Sequence, residues 1–412
     1  MTQYLIHNAN LLDLDLGVLR TGSSVRIEGE TIVEVAFDGA DMTVGDGVVR
    51  IDAAGRTLMP GLIDAHVHAA LTTMDLAALA VRQASWRAIE TKYILEGMLA
   101  RGFTTVRDAG GLDPGITNAL KRGLVRGPRV FRSGRVLSQT GGHGDTGGIS
   151  EHPQLCACNI RTDFYAHIAD GVDAVRRAVR EELKAGAHQI KIMAGGGVAT
   201  PSDPIDMVQY TEGEIRAAVE EATARRTYAF AHAYIPEAII RATRSGVRSI
   251  EHGNLINIEA AEVMAAHGCF LVPTLVTYDQ IAEMGSVLRF PKESLDKLHD
   301  VLHAGVGAID IARTAGVKIG FGTDLLGECH PQQSKELLLR RDVQSSWEIL
   351  RSATITNAEL LGMTGRLGTL QPGAFADLLL VDGDPLADIT VLTGQGERIS
   401  LIMQDGAIRK GA

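Results

Sequence analysis

Hydrophobic and polar positions follow a strand pattern at both ends of this chain. Short apolar runs separated by turns predict strands at 4–6, 24–27, 31–35 and 48–51. The pattern returns after residue 374, with an apolar strand at 378–381 and a hairpin around Asp405-Gly406. We therefore predict that both chain ends contribute strands to one small β-sandwich.

The middle of the chain alternates strand and helix patterns from about residue 58 to 365. Apolar residues spaced three and four apart at 172–183 predict a helix that stops near Gly186. Thr211 and Glu214 form a capping box for the next helix, and Pro236 opens another that Gly246 closes. This alternation predicts an α/β fold, a (β/α)8 TIM barrel at 59–365, with the sandwich formed by 1–58 and 366–412.

Composition and charge narrow the function classes. The chain has 412 residues, 45% hydrophobic and 4% aromatic, which fits a barrel of branched strands with an appended domain. Its net charge of −10, without a long basic run, argues against nucleic acid and anionic membranes as partners. No apolar stretch is long enough to cross a bilayer. The N-terminus lacks a signal-peptide pattern, so we expect a cytoplasmic protein, with a removed signal peptide left open.

Cysteine usage does not predict a structural metal site. Cys156 and Cys158 are two apart rather than in a C-x-x-C motif, and Cys269 and Cys329 lie far from them. We expect the first pair to be ordinary thiols on a surface loop.

Six polar residues occur in or directly after short apolar runs, in a fixed order along the chain. They are His66, His68, Lys191, His232, His252 and Asp324. The first two are separated by one residue in a predicted strand, so their side chains share a face and can converge on one ion. The other four lie where barrel strands would deliver side chains to the open end of the barrel. An isolated histidine pair is more often solvated than metal-bound, but the full set favours a metal site.

Lys191 is the most informative member of this set. It lies inside the β-branched run Gln189 to Met193, where a cation is costly to bury without a partner. If its nitrogen has reacted with carbon dioxide, the resulting carbamate has two anionic oxygens that can bridge two metal ions. The alternative is a lysine that extends to the barrel mouth or pairs with an acid.

This ordered set resembles the amidohydrolase superfamily of metal-dependent hydrolases, and the resemblance covers nearly the whole chain. The C-terminal stretches at 357–359, 365–373 and 376–385 are also similar to that family. The motifs TTVRDAG at 104–110, GGHG at 141–144 and HAY at 232–234 resemble the imidazolonepropionase-like branch. That branch contains binuclear Xaa-Pro dipeptidases, zinc carboxypeptidases and ochratoxin-hydrolysing amidohydrolases.

The resemblance implies a role for each site residue. His66, His68 and Asp324 would hold one divalent ion, His232 and His252 a second, and N6-carboxylated Lys191 would bridge the two. Imidazole and carboxylate ligands suit zinc, and manganese or cobalt nearly as well. Asp324 would also be the catalytic residue, taking a proton from a metal-activated hydroxide and passing it to the leaving amine.

Substrate-binding roles follow from the same resemblance. His143 and Tyr234 would grip the free carboxylate of the released amino acid, and His330 would orient Asp324 or touch the substrate. The loops at 140–171 and 195–210 would rim the site. We expect Arg107 and Asp108 to form a structural ion pair rather than a catalytic dyad.

These expectations describe an amidohydrolase that releases a C-terminal amino acid from a dipeptide or small-molecule substrate, including N-acyl-phenylalanine compounds of the ochratoxin type. Lactonase, cyclic-amide hydrolase and deaminase activities of the same superfamily are the alternatives, although no H-x-x-E acid typical of the deaminases is present. A non-enzymatic scaffold is disfavoured because all six ligands are intact. We also expect a homo-oligomer, up to an octamer.

Overall fold

The computed structural model describes residues 2–37, 39, 42, 45, 47–145, 165–200, 203–288, 290 and 292–411. Cys156, Cys158 and much of the predicted loop at 140–171 lie outside these residues. The strands are β1 Gln3–Asp13, β2 Val18–Glu28, β3 Thr31–Ala36, β4 Val49–Asp52, β5 Thr57–Pro60, β6 Leu62–Val67, β7 Phe103–Asp108, β8 Arg129–Arg132, β9 Val136–Ser138, β10 Ala166–Ile168, β11 Ile190–Met193, β12 Ala229–Ala233, β13 Ser249–His252, β14 Phe270–Val272, β15 Leu378–Val381, β16 Ile399–Gln404 and β17 Ala407–Lys410. The helices are α1 Leu76–Val81, α2 Ala84–Ala100, α3 Pro114–Lys121, α4 Val172–Lys184, α5 Glu212–Ala224, α6 Pro236–Arg244, α7 Ile258–Ala266, α8 Leu275–Met284, α9 Lys292–Thr314, α10 Glu336–Leu339, α11 Ser346–Arg351 and α12 Asn357–Leu360.

Parallel strands form the wall of the central barrel. Strands β6, β7 and β8 pair in parallel, and the order β10-β9-β11-β12-β13-β14 continues the wall. The extended segment 317–323 closes it, because Leu271 N–H donates to Lys318 O at 3.0 Å and Ala65 N–H donates to Phe321 O at 2.8 Å. The predicted TIM barrel is confirmed, and the capping box of Thr211 and Glu214 opens α5 as expected.

Strands from both chain ends share one eight-stranded sheet. Its order is β17-β16-β15-β5-β1-β2-β3, with β4 beside β1. Strand β5 pairs antiparallel with β15, which joins residues 57–60 to residues 378–381. A separate core that includes Ile6, Val25, Ile32, Leu58 and Leu378 packs within this unit. The β-rich unit built from both termini is thus confirmed, whereas the boundaries at 58 and 365 stay a prediction.

The largest hydrophobic cluster lies between the barrel wall and its helices. It is built of small and branched side chains such as Ile192, Ala231, Ile250, Ala218 and Ile239, all buried. Such residues let helices approach the strands closely, which fixes the strand ends that carry polar side chains. None of the helices in the described residues combines the length and apolar composition needed to cross a membrane.

Candidate metal centre and active site

The six predicted ligands meet in one cavity at the carboxyl ends of the barrel strands. The cavity is lined by His66, His68, Lys191, His232, His252 and Asp324, together with His143 and Tyr234. In a barrel this is the end at which loops and strand termini build active sites. The structure therefore brings together side chains that are up to 258 positions apart in the sequence, between His66 and Asp324 (324 − 66).

Asp324 lies at the centre of the histidines. Its Oδ1 is 3.3 Å from His66 Nε2 and 3.2 Å from His68 Nε2. Burial alone would raise the pKa of Asp324, but the neighbouring histidines outweigh it and hold the pKa well below its usual value. Asp324 has φ 55° and His252 has φ 74°. Left-handed backbone at non-glycine residues costs about 1–3 kcal/mol and persists where the surroundings impose it, commonly at functional sites.

Hydrogen bonds fix the orientation of the first histidine pair. His68 Nδ1 lies 3.0 Å from Gly110 O, a carbonyl that can only accept, so Nδ1 carries the proton. His66 Nδ1 lies 2.7 Å from the carboxylate Oε2 of Glu251. Both Nε2 atoms are thereby left as acceptors facing Asp324, which is the arrangement that metal-binding histidines adopt.

The second histidine pair is held in the same manner. His232 Nε2 donates to Gly196 O at 2.9 Å, which leaves its Nδ1 as the acceptor. His252 Nδ1 is 2.8 Å from the hydroxyl of Thr274. The two ring centroids are 4.5 Å apart, so both imidazoles can reach one ion.

The donor set suits a divalent cation. His66 Nε2 is buried and has no hydrogen-bond partner among the described residues. Ligand atoms of His66, His252 and Asp324 all lie within 4.8 Å of one another. A buried acceptor without a donor is unfavourable, and a metal ion bound among these atoms would satisfy it.

Lys191 is buried in the cavity wall, with 1% of its surface exposed. Within the described part of the chain no carboxylate lies within ion-pair distance of its Nζ, and the ring of Phe230 is 5.2 Å away. Burial lowers the pKa of Lys191 to about 8. Burial thus makes the ammonium form of Lys191 less favourable than that of a lysine in water.

A buried ion pair contradicts the sequence prediction for Arg107. Arg107 pairs with Glu251, with an Nη2–Oε1 distance of 2.8 Å, and does not pair with Asp108. Neighbouring strand residues point to opposite sides, so Asp108 instead accepts from backbone N–H groups, including that of Ala69 at 3.2 Å. The predicted ion pair of Arg107 with Asp108 was wrong for this reason.

Glu251 is one of the residues at the site that sequence reasoning missed. It contacts His66 and Arg107 at once, and although burial would raise its pKa, those two groups hold the pKa far below its usual value. A signal was present, because an arginine and a glutamate inside apolar strands each need a buried partner.

Replacing Glu251 by glutamine is expected to weaken metal binding about 10- to 100-fold, because the carboxylate that orients His66 is lost. It also leaves Arg107 buried without its anion, which should destabilise the fold by about 3–5 kcal/mol. Chelator competition measures the first effect and thermal unfolding the second.

The matched control is Glu336→Gln, since Glu336 is equally buried and pairs with Arg340 at 2.7 Å, but its partners among the described residues are Arg340 and the Val276 N–H and not a histidine. It should destabilise the fold without changing the metal dissociation constant. Equal metal affinities in both variants would mean that Glu251 has only a structural role.

His143 is held rigidly at the cavity wall. Its Nδ1 is 2.8 Å from Asp203 Oδ2, and Asp203 also accepts from the Gly197 N–H at 2.9 Å and from Gln209 Nε2 at 3.1 Å. The ring of His143 stacks on that of His232 with centroids 4.3 Å apart. Its Nε2 is therefore the ring nitrogen left for another partner.

Tyr234 also packs against the second histidine pair. Its hydroxyl accepts from Tyr278, 3.0 Å away, and its ring edge contacts His232 with centroids 4.8 Å apart. Tyr278 also lines the cavity and was missed by the sequence analysis.

His330 is buried outside the cavity lining, within a 3-10 segment at Gly327–Lys335. Burial lowers the pKa of its imidazole to about 3. This placement does not bring His330 to the cavity surface, and its influence on Asp324 stays a prediction.

The (β/α)8 barrel with a histidine and carboxylate cluster at its open end defines a TIM-barrel hydrolase. The chain belongs to the amidohydrolase family, whose profile matches residues 57–408.

Individual relatives agree with this assignment. Ochratoxinase from Aspergillus niger is 30% identical over 393 residues, which cover 92% of this chain and 81% of that protein. A crystal structure of a prolidase complexed with N-methylphosphonate-L-proline matches with TM-score 0.96 and 48% identity, over 100% of both chains. A Xaa-Pro dipeptidase structure with methionine bound in its active site matches with TM-score 0.89 and 28% identity, again over 100% of both.

Proposed function

We propose that this protein hydrolyses an amide or peptide bond and releases an amino acid with a free carboxylate, using two divalent metal ions. The observation that carries the proposal is the meeting of four histidines, Lys191 and Asp324 in one cavity. Zinc suits this set of nitrogen and oxygen donors. The similarity to ochratoxinase and to the two proline-directed peptidases supports an amide substrate.

The metal ligands divide into two groups around a shared bridge. His66, His68 and Asp324 would hold one ion, and His232 and His252 the other. Carboxylated Lys191 would bridge them, because it lines the same cavity as both groups and has no acidic partner within ion-pair distance among the described residues. When bound, the ions would supply an activated water at neutral pH and polarise the scissile carbonyl.

Asp324 is proposed to move the proton of the reaction. Its Oδ1 contacts the two histidines, while Oδ2 lies 3.9 Å from His252 Nδ1 and is the oxygen with fewer partners. This carboxylate would accept the proton of the attacking water and donate it to the nitrogen of the leaving amine. One residue thus serves both halves of the proton transfer.

The substrate carboxylate is proposed to bind between His143 and Tyr234. Both contact the ring of His232 and line the same cavity, so an anion bound there beside that ring could reach both. Asp203 accepts a hydrogen bond from His143 Nδ1, which leaves Nε2 as the ring nitrogen for the substrate. Tyr278 donates to the Tyr234 hydroxyl, which leaves the Tyr234 proton for the substrate.

Amidating the substrate carboxylate is expected to lower kcat/KM by roughly 10- to 150-fold, because a charge-assisted hydrogen bond contributes about 1.5–3 kcal/mol. Tyr234→Phe should impair hydrolysis of the free acid and leave the amidated compound nearly unaffected. The measurement is kcat/KM for an N-acyl-phenylalanine and its carboxamide.

Tyr165→Phe is the control, because Tyr165 lines the same cavity beside His68 rather than beside His232. It should affect both compounds equally. If the parent enzyme cleaves the acid and the carboxamide at the same rate, carboxylate anchoring is wrong and a lactone or cyclic amide becomes the better substrate.

A hydrolysis screen on metal-replete enzyme tests the proposal as a whole. It should include dipeptides, Xaa-Pro dipeptides, N-acyl amino acids, lactones and cyclic amides, together with metal analysis of the same sample. We expect about two ions per chain and turnover confined to substrates with a free α-carboxylate. A single ion would favour a deaminase-like site, and no metal with no turnover would favour a scaffold.

A homo-oligomer is also proposed and is tested by light scattering.

A further inference from the structure

A second cavity lies at the other end of the barrel from the metal centre. Its volume is about 450 Å³, and its lining includes Gln189, Thr227, Tyr228 and Arg248. These residues directly precede β11, β12 and β13, so the cavity faces the amino ends of the strands. Volumes of roughly 300–1,000 Å³ are typical of small-molecule sites.

The lining of this cavity is positively charged in a protein whose net charge is −10. It includes Arg225, Arg226 and Arg248, and none of the described residues that line it is an aspartate or glutamate. Arg248 is held in place by hydrogen bonds to Leu360 O at 2.7 Å and Glu359 O at 2.6 Å. The side chains of Arg225 and Arg226 make no hydrogen bond or ion pair within the described residues, so their guanidinium groups are available to an anion.

The backbone at Arg226 gives an independent indication. Arg226 lies two residues after the last residue of α5 and has φ 58°. The second residue after the helix end is glycine in seven other helices, with φ between 63° and 96°. These helices are α2, α3, α4, α6, α7, α9 and α12. Glycine adopts this left-handed conformation without steric penalty, whereas arginine does not. Arg226 therefore has a backbone conformation that is unfavourable for arginine, and it lines the cavity.

Aromatic and apolar groups complete the walls. Phe131, Tyr228, Leu183 and Leu361 line the cavity, and the Arg248 guanidinium lies 5.3 Å from the centre of the Tyr228 ring. Flat rings of this kind bind a planar group by stacking. The cavity thus combines an anion-binding side with a surface suited to a ring.

We propose that this cavity binds a small phosphorylated molecule with a planar ring, the chemical class of a nucleoside monophosphate. A phosphate monoester carries about −1.5 to −2 charges and matches several guanidinium groups better than a single carboxylate does. The site is separate from the metal centre, so this inference does not depend on the proposed reaction.

Thermal-shift and calorimetric titrations of the metal-bound enzyme with adenosine monophosphate test the inference. The melting temperature should rise with ligand concentration, as expected for binding to the folded state. Adenosine and inorganic phosphate should each bind more weakly than the whole molecule. Arg226→Gly should raise the dissociation constant at least about tenfold, through loss of a charge-assisted hydrogen bond.

The melting temperature of Arg226→Gly without ligand shows whether the variant remains folded. Glycine suits the left-handed backbone, so the unliganded melting temperature should equal or exceed that of the parent, and amide hydrolysis should be unchanged. Arg409→Gln is the matched control, because Arg409 is exposed on β17 away from the cavity. It should bind the nucleotide as the parent does, and so should Asp324→Asn, in which the metal centre is altered.

Three results would overturn the inference. They are no stabilisation of the parent by adenosine monophosphate, equal affinity in Arg226→Gly, or binding that is lost only in Asp324→Asn. The last result would place the phosphate at the metal centre.

Discussion

Lys191→Ala is expected to lose most of its bound metal and to lower kcat/KM by more than about 10²-fold. Loss of a residue that merely orients a ligand already weakens metal affinity about 10- to 100-fold, and loss of a bridging ligand should exceed this. The variant keeps the packing of its strand, since the neighbours Ile190 and Ile192 belong to the hydrophobic layer between the barrel wall and the helices. Metal analysis by mass spectrometry and steady-state kinetics measure the two effects.

Lys191→Met separates the chemistry of the amine from its packing. Methionine fills a similar volume without a charge, so it should fold at least as stably as the parent while losing metal as the alanine variant does. Short carboxylates or bicarbonate should restore some activity to Lys191→Ala, where a space is left, and none to Lys191→Met. Two retained ions and full activity in Lys191→Ala would falsify the bridge.

Much of this fold was readable from the sequence because its signals are local. The capping box of Thr211 and Glu214 needs residues three apart, and the hairpin at Asp405-Gly406 needs two. The ends of strands β6, β12 and β13 could be placed for the same reason, since apolar runs ending in histidine mark them. In a barrel, strand ends converge by topology, so local signals also predict which side chains meet.

Contacts across the barrel could not be predicted in this way. The pairing of Arg107 with Glu251 depends on which side chains face inward on two strands that are far apart in sequence. Because side chains alternate between the two faces of a strand, a shift of one residue would place either side chain on the other face. The hydrogen bond from Tyr278 to Tyr234 likewise depends on how helix α8 packs beside β12. Asp203, which holds His143, lies in a loop without periodicity. These partners tune the site, and they follow from tertiary packing rather than from a motif.

Asp324→Asn is expected to lower kcat by about 10² to 10⁴, the range associated with loss of general acid-base catalysis. Asparagine keeps the size of the side chain and one oxygen ligand, but it cannot carry the proton. It also tolerates left-handed backbone better than most residues, so the φ of 55° at this position should not unfold the variant. Metal content measured on the same sample shows whether the ions remain.

Asp64→Asn is the matched control, because Asp64 is a buried carboxylate that accepts from the His66 N–H and does not line the cavity. Its hydrogen bonds with Thr323 at 2.6 Å and Gln333 at 2.9 Å are structural, so stability should fall while kcat changes less than about tenfold.

A change of leaving group isolates the proton transfer from metal loss. An amine leaves only after its nitrogen is protonated, whereas a phenol, with a pKa of about 10, leaves readily as the anion. Asp324→Asn should therefore impair hydrolysis of an N-acyl amino acid far more than hydrolysis of the corresponding ester of a hydroxybenzoate, which keeps the carboxylate. If both substrates slow equally while the ions are retained, Asp324 acts as a ligand alone, and a drop below tenfold for the amide would assign the proton transfer to another residue.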